Sequence, residues 1–166
     1  MPNSHVGEIW IKGDSVSSGY WNKTKATRAA FNFSLTDSDG FVQSGFLRSG
    51  DLGFIRDNHL YICGRSKEVI IVHGRNHFPQ DIEASVQTVD SVLSAHGGAA
   101  FSVDEHNARQ KIIVVQELSR HGLKRKDHDD IILSIRQAVA EAHEISLSAV
   151  LLIAPMSLAK TTSGKI

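Results

Sequence analysis

The chain has 166 residues, enough for one domain or a domain and a half, and its 18 lysines and arginines equal its 18 aspartates and glutamates. A neutral balance gives no electrostatic pull towards nucleic acid or an anionic membrane, no apolar run approaches the length of a membrane span, and the polar start before Glu8 is no signal peptide. Cys63 is the single cysteine, which excludes an internal disulfide and suits a cytoplasmic protein.

Val6 to Lys12 places Ile9 and Ile11 on one face and Glu8, Trp10 and Lys12 on the other, the period of a half-buried strand. Gly13-Asp14 breaks the pattern, and Val16 to Trp21 resumes it around Gly19, with Tyr20 and Trp21 expected to pack a small sheet. Lys23 to Phe33 reads as a short helix with Thr24 as its cap, and Thr36 to Gly40 as an exposed turn. Phe46 to Arg48 is a short strand that delivers Ser49-Gly50-Asp51. Leu52–Ile55 and Leu60–Ile62 then form a hairpin around Arg56 to His59.

From Gly64 to Glu83 the instructions are dense. Gly64-Arg65 close a turn, Glu68 to Val72 is a β-branched run, Gly74 lets the backbone turn, and Pro79 starts a helix with Asp81 and Glu83 in its first turn. Ile82, Val86 and Val89 form that helix's apolar face. Ser94 to Gly98 reads as a loop, Gly98–Val103 and Lys111–Leu118 as strands, and Leu123 to Asp127 as a solvated charged loop. Asp127 to His143 is the longest helix, with Ile132, Ile135, Val139 and Ala142 on one stripe, and Ala149 to Ile153 is a last buried strand. The tail from Ala159 has no apolar period and should be mobile. This order gives a compact α+β domain from about Arg65 onward.

Two positions invite chemistry. Asp51, at a strand end after glycine, can accept two hydrogen bonds from a vicinal diol, although the same triplet fits a turn aspartate that bonds its own backbone. Lys165, after Ser163-Gly164 on a flexible tail, can enter a cleft as a point charge; Lys160 lacks the preceding Ser-Gly. Nine histidines raise the question of a metal, but His73 and His77 flank Gly74 rather than share a helical face, and no CxxC partner exists for Cys63. No metal site is expected in this chain.

The segment GRSKEVIIVHGRNHFPQDIE, together with GEIWIKG…GYWN, Ser49-Gly50-Asp51 and Ser163-Gly164-Lys165, resembles the C-terminal part of the adenylate-forming superfamily of acyl-CoA synthetases, luciferases and adenylation domains. The wording Arg75-Asn76-His77 and Pro79-Gln80-Asp81 is closest to the long-chain fatty acyl-AMP ligases. The resemblance implies a remnant of a distorted β-barrel followed by a small domain with about three strands packed against helices and a short β-hairpin at its start. Residues 1–63 would end an N-terminal adenylation domain and residues 64–166 would form the C-terminal lid, hinged at Lys67. By the same resemblance Asp51 and Arg65 bind the ribose of ATP, Lys165 contacts the substrate carboxylate and the α-phosphate, and Gly74, Arg75 and His77 line the acceptor channel or the hinge loop. The cofactors implied are ATP and AMP with Mg2+, whose ligands are expected in the absent N-terminal adenylation domain. The partners implied are that domain, a fatty acid and the phosphopantetheine arm of an acyl carrier protein. No glycine-rich phosphate loop occurs in the chain, so it is expected to be a C-terminal fragment that is inactive alone. An acyl-CoA synthetase, an amino-acid-activating domain and a non-catalytic carrier-docking module remain as alternatives.

Overall fold

The computed structural model describes residues 5–104 and 110–162. The chain divides into two compact units, one ending at Lys67 and the other beginning at Glu68.

The first unit is organised by one long strand. β1 (Gly7–Ile11), α1 (Thr24–Ala30) and β2 (Phe33–Thr36) precede β3 (Val42–Arg56), which turns through Asp57-Asn58 into β4 (His59–Arg65). β1, β2 and β4 all pair antiparallel with β3, and the four-stranded sheet does not close into a barrel. The expected separate strands around Phe46 and Leu52 are therefore one strand. Its interruptions, at Gly45 and Gly50 with positive φ, kink the strand without ending it. Asp57 and Asn58 both have positive φ, as a two-residue hairpin turn requires.

Several local expectations are corrected here. Val16 to Trp21 forms turns rather than a strand, and Trp21 is 96% exposed, whereas Tyr20 makes an edge contact with Phe31. Thr24 is the first residue of α1, not its cap; Lys23 takes that position without a side-chain bond. Trp10, on the face it shares with Glu8, packs on Phe33 and Phe46 and donates to Glu8. Gly64 and Arg65 do not turn but extend β4, since Arg65 pairs with Asp51 across the ladder. The division between the two compact units falls after Lys67.

The second unit opens with the hairpin of β5 (Ile70–Val72) and β6 (Arg75–His77). α2 (Pro79–Gln87), β7 (Leu93–Asp104), β8 (Gln110–Leu118), a short 3-10 turn at Gly122–Lys124, α3 (His128–His143) and β9 (Ala149–Ile153) follow. β7 pairs antiparallel with β8, and β9 joins the far edge of β8 in parallel, from Ile113 opposite Ala149 to Glu117 opposite Ile153. Ile82 and Val86 of α2 and Ile131, Ile135 and Val139 of α3 close over Ala100, Ile112 and Val114 of the sheet, with Ile70 of the hairpin in the same core. The stripe of α3 is thus Ile131-Ile135-Val139, and Ala142 is exposed. The expected loop at Ser94–Gly98 is a bulged stretch of β7, held in the ladder because Leu93 still pairs with Leu118. β9 is half-buried, as an edge strand is. The loop before α3 is pinned rather than free: Arg125 bonds Asp90 at 2.8 Å and also Asp127, which lowers the Asp127 carboxyl to about 2. No helix among the described residues is long and apolar enough to cross a membrane.

Candidate functional site

Asp51 stands on β3 directly opposite Arg65 on β4, and Arg65 Nε donates to Asp51 Oδ1 at 3.2 Å. The carboxylate is positioned from both sides of the motif. Ser49 Oγ donates to the carbonyl of Ile9 on β1 at 2.8 Å and accepts the backbone N–H of Asp51 at 3.0 Å. Gly50 between them has φ +76, a conformation that a residue with a Cβ rarely adopts, and its carbonyl receives the N–H of Ser66 at 2.8 Å. Asp51 is thus held in a ladder beside a guanidinium and stays partly open to solvent, with 38% of its side chain exposed. A half-open carboxylate flanked by an arginine can accept hydroxyl donors.

On the same unit, an apolar groove of about 820 Å3 is lined by Trp10, Leu35, Phe41, Phe46, Phe54 and Leu60 among others. Burial tends to raise the Glu8 carboxyl at its rim, but bonds from Trp10 Nε1 (3.0 Å) and Arg48 Nε (2.8 Å) outweigh burial and hold it low. The Arg48 guanidinium lies 5.0 Å from the Phe33 ring centre, so one cation serves both the carboxylate and the aromatic face.

In the second unit, His73 and Gly74 form the two-residue turn of the β5–β6 hairpin, with φ of 49° and 76°. Arg75 pairs with Val72 across that turn and forms an ion pair with Glu144, the left-handed residue that ends α3. His77, opposite Ile70, is pushed below the usual histidine range first by burial and then by the positive fields of His143 and Arg75, against the pull of Glu144. His143 Nε2 lies 2.8 Å from Ser85 Oγ, and that hydroxyl donates to the carbonyl of Asp81. Ser85 Oγ therefore sits between the Asp81 carbonyl and the His143 ring. Lys67 is exposed at the boundary of the units. Lys165 lies outside the described residues. Among the described residues no group of three or more histidine, cysteine, aspartate or glutamate side chains could hold a metal ion.

The sequence reasoning missed the anchoring of the tail. Glu117 Oε1 accepts the N–H of Leu158 at 2.9 Å, and Lys160 Nζ donates to the carbonyl of His96 at 2.9 Å, so the chain at Lys160 is tied down. The available signal was Gln116-Glu117 inside the apolar run of β8, since polar groups buried in a strand need partners.

The two-layer lobe that follows Lys67, with its hairpin and parallel edge strand, is the C-terminal part of the adenylate-forming enzymes. Residues 67–166 match the model of the Disco-interacting protein 2-like AMP domain, more than half of the chain, and the protein belongs to that family. The chain is 43% identical over 161 residues to the medium-chain-fatty-acid–acyl-carrier-protein ligase JamA of Moorena producens, covering 97% of this chain and 26% of JamA. It is 40% identical over 172 residues to the putative fatty-acid–CoA ligase FadD21 of Mycobacterium tuberculosis, covering 99% of this chain and 28% of that one. A solved structure from work on the fatty acyl-adenylate ligases of E. coli and L. pneumophila superimposes with a TM-score of 0.75 at 28% identity, over 99% of this chain and 26% of the other. The chain thus spans about a quarter of the length of the relatives it matches.

Proposed function

We propose that this chain is the C-terminal part of an ATP-dependent fatty acyl-AMP ligase. In that reaction a fatty carboxylate attacks the α-phosphorus of MgATP and pyrophosphate leaves; the phosphopantetheine thiol of an acyl carrier protein then attacks the acyl-adenylate carbonyl, and AMP leaves as the thioester forms. The observation that supports this most is the Asp51–Arg65 pair, a half-open carboxylate with a guanidinium 3.2 Å away, which suits the two hydroxyls of a ribose. Lys165 supplies positive charge where negative charge builds up at the α-phosphate, so its contribution is electrostatic and positional rather than covalent. Lys67 is the hinge about which the lid changes partner surfaces, and Gly74, Arg75 and His77 line the path of the acceptor thiol. Mg2+ is held by ligands outside this chain, in the N-terminal adenylation domain that the remaining three-quarters of the relatives' length would supply.

A second reading, transfer to coenzyme A, draws support from the printed name of FadD21, as transfer to a carrier protein does from that of JamA. One set of experiments tests both. Fatty-acid-dependent ATP–pyrophosphate exchange is measured for the chain alone and for the chain joined to the N-terminal body of a fatty acyl-AMP ligase. The chain alone should show none. The joined protein should turn over and lose at least a hundredfold on Lys165→Ala. Turnover by the chain alone, or indifference to Lys165→Ala, would overturn the proposal. Thioester formation with carrier protein against coenzyme A then decides the acceptor.

A further inference from the structure

β8 ends in Gln116-Glu117-Leu118, all buried although two of the three are polar. Gln116 is accounted for locally, since its Nε2 donates to the carbonyls of Ser94 and Glu117 and braces the bulge of β7. Glu117 serves the segment after β9. Its Oε1 accepts the N–H of Leu158 at 2.9 Å. Gly97 lies against it so closely that a Cβ there would meet Glu117 Cβ at 3.0 Å and Oε2 at 3.1 Å. Beside it, Lys160 Nζ bonds the carbonyl of His96 in the same bulge and adds a favourable charge. A buried carboxylate that takes the Leu158 amide, under a bulge emptied of side chain at Gly97 and beside the Lys160 tie, is a built anchor.

We infer that Glu117 is a positioning residue, a clasp that fixes the segment after β9 to the lid and so shortens the stretch of chain between the lid and Lys165. The inference rests on the proposed role of Lys165. From Leu158 to Lys165 is seven residues, against twelve from the end of β9 at Ile153. At no more than about 3.6 Å per residue the clasp cuts the reach from about 43 Å to about 25 Å.

Two variants remove the clasp in different ways. Glu117→Gln keeps the shape and loses the charge, whereas Gly97→Ala leaves the carboxylate intact and pushes it aside. Hydrogen exchange at Leu158 in the chain itself should accelerate at least tenfold in both, with the core amides of Val114 and Val139 unchanged. In the joined protein, ATP–pyrophosphate exchange should fall about threefold in kcat with KM for ATP unchanged, while transfer from supplied acyl-adenylate is unaffected. Unaltered exchange at Leu158 in both variants would overturn the clasp. Faster exchange with undiminished adenylation, in a protein that Lys165→Ala does disable, would overturn its positioning role. If Lys165→Ala is itself silent, the proposed function fails, and the clasp still stands or falls on the exchange at Leu158.

Discussion

Glu83 and Glu117 approach the same sheet and respond to it in opposite directions. Glu83, on α2, accepts the N–H of Ala100 at 2.9 Å, yet burial dominates and the field of Glu68 adds to it, so its carboxyl is raised above the ordinary value. Glu117 accepts the N–H of Leu158, the largest influence on it, and its carboxyl is lowered despite its burial. The consequences for stability have opposite signs. An acid raised on folding binds its proton more tightly in the folded state, so stability falls as pH rises from the unfolded value through the raised one. Replacing Glu83 by glutamine keeps the acceptor for Ala100 and removes the buried charge. Glu83→Gln should therefore melt higher than the parent at pH 7, with the gap closing as pH drops below the ordinary carboxylate range. A gap in melting temperature that grows towards low pH would contradict this. For Glu117 the stabilisation is present above the unfolded value and persists until pH falls through the lowered one, so the tail stays clasped at neutral pH.

At the level of elements, α3 carries the largest testable contribution. Ile135 is fully buried in the core cluster, whereas Leu133 on the same helix is 65% exposed. Ile135→Ala should cost about 2–5 kcal/mol through lost burial and a residual cavity. Leu133→Ala should stay within about 0.5 kcal/mol. Equilibrium denaturation with urea separates the two, and comparable losses would mean that α3 does not pack as described. Elements with strong periodic or punctuating signals were legible from sequence alone: β1, the Pro79 start of α2, the β7–β8 pair, α3, and the α+β class. The stripe of α3 was displaced by one residue at its start, because Ile131 and Ile132 are both apolar and only the tertiary partner chooses between them. β3 was read as pieces because glycine usually punctuates, whereas neighbours along β3 carry the strand through its kinks. The tail clasp was illegible as such. It joins residues 41 positions apart through backbone amides, which carry no residue-type signal.

For the whole molecule, the division after Lys67 sorts the core unequally. The buried cluster runs from Ile70 to Leu147, entirely in the second unit, while Phe31 is the buried hydrophobic residue of the first among those described. Residues 68–166 expressed alone should therefore unfold in a single cooperative transition, and residues 1–67 alone should show none. Calorimetry of the two pieces checks this, and a cooperative melt from the first would show that the open sheet stabilises itself.

The parallel pairing of β9 with β8 has a consequence for synthesis. Translation delivers the Ile-Ile-Val-Val run of β8 before α3 and well before the strand that covers its outer edge. Until residues 149–153 emerge, a nascent chain exposes an unpaired ladder that any neighbouring strand can extend. Any interval in which β8 has emerged and β9 has not thus leaves an aggregation template, and the pairing of β9 is the step that retires it.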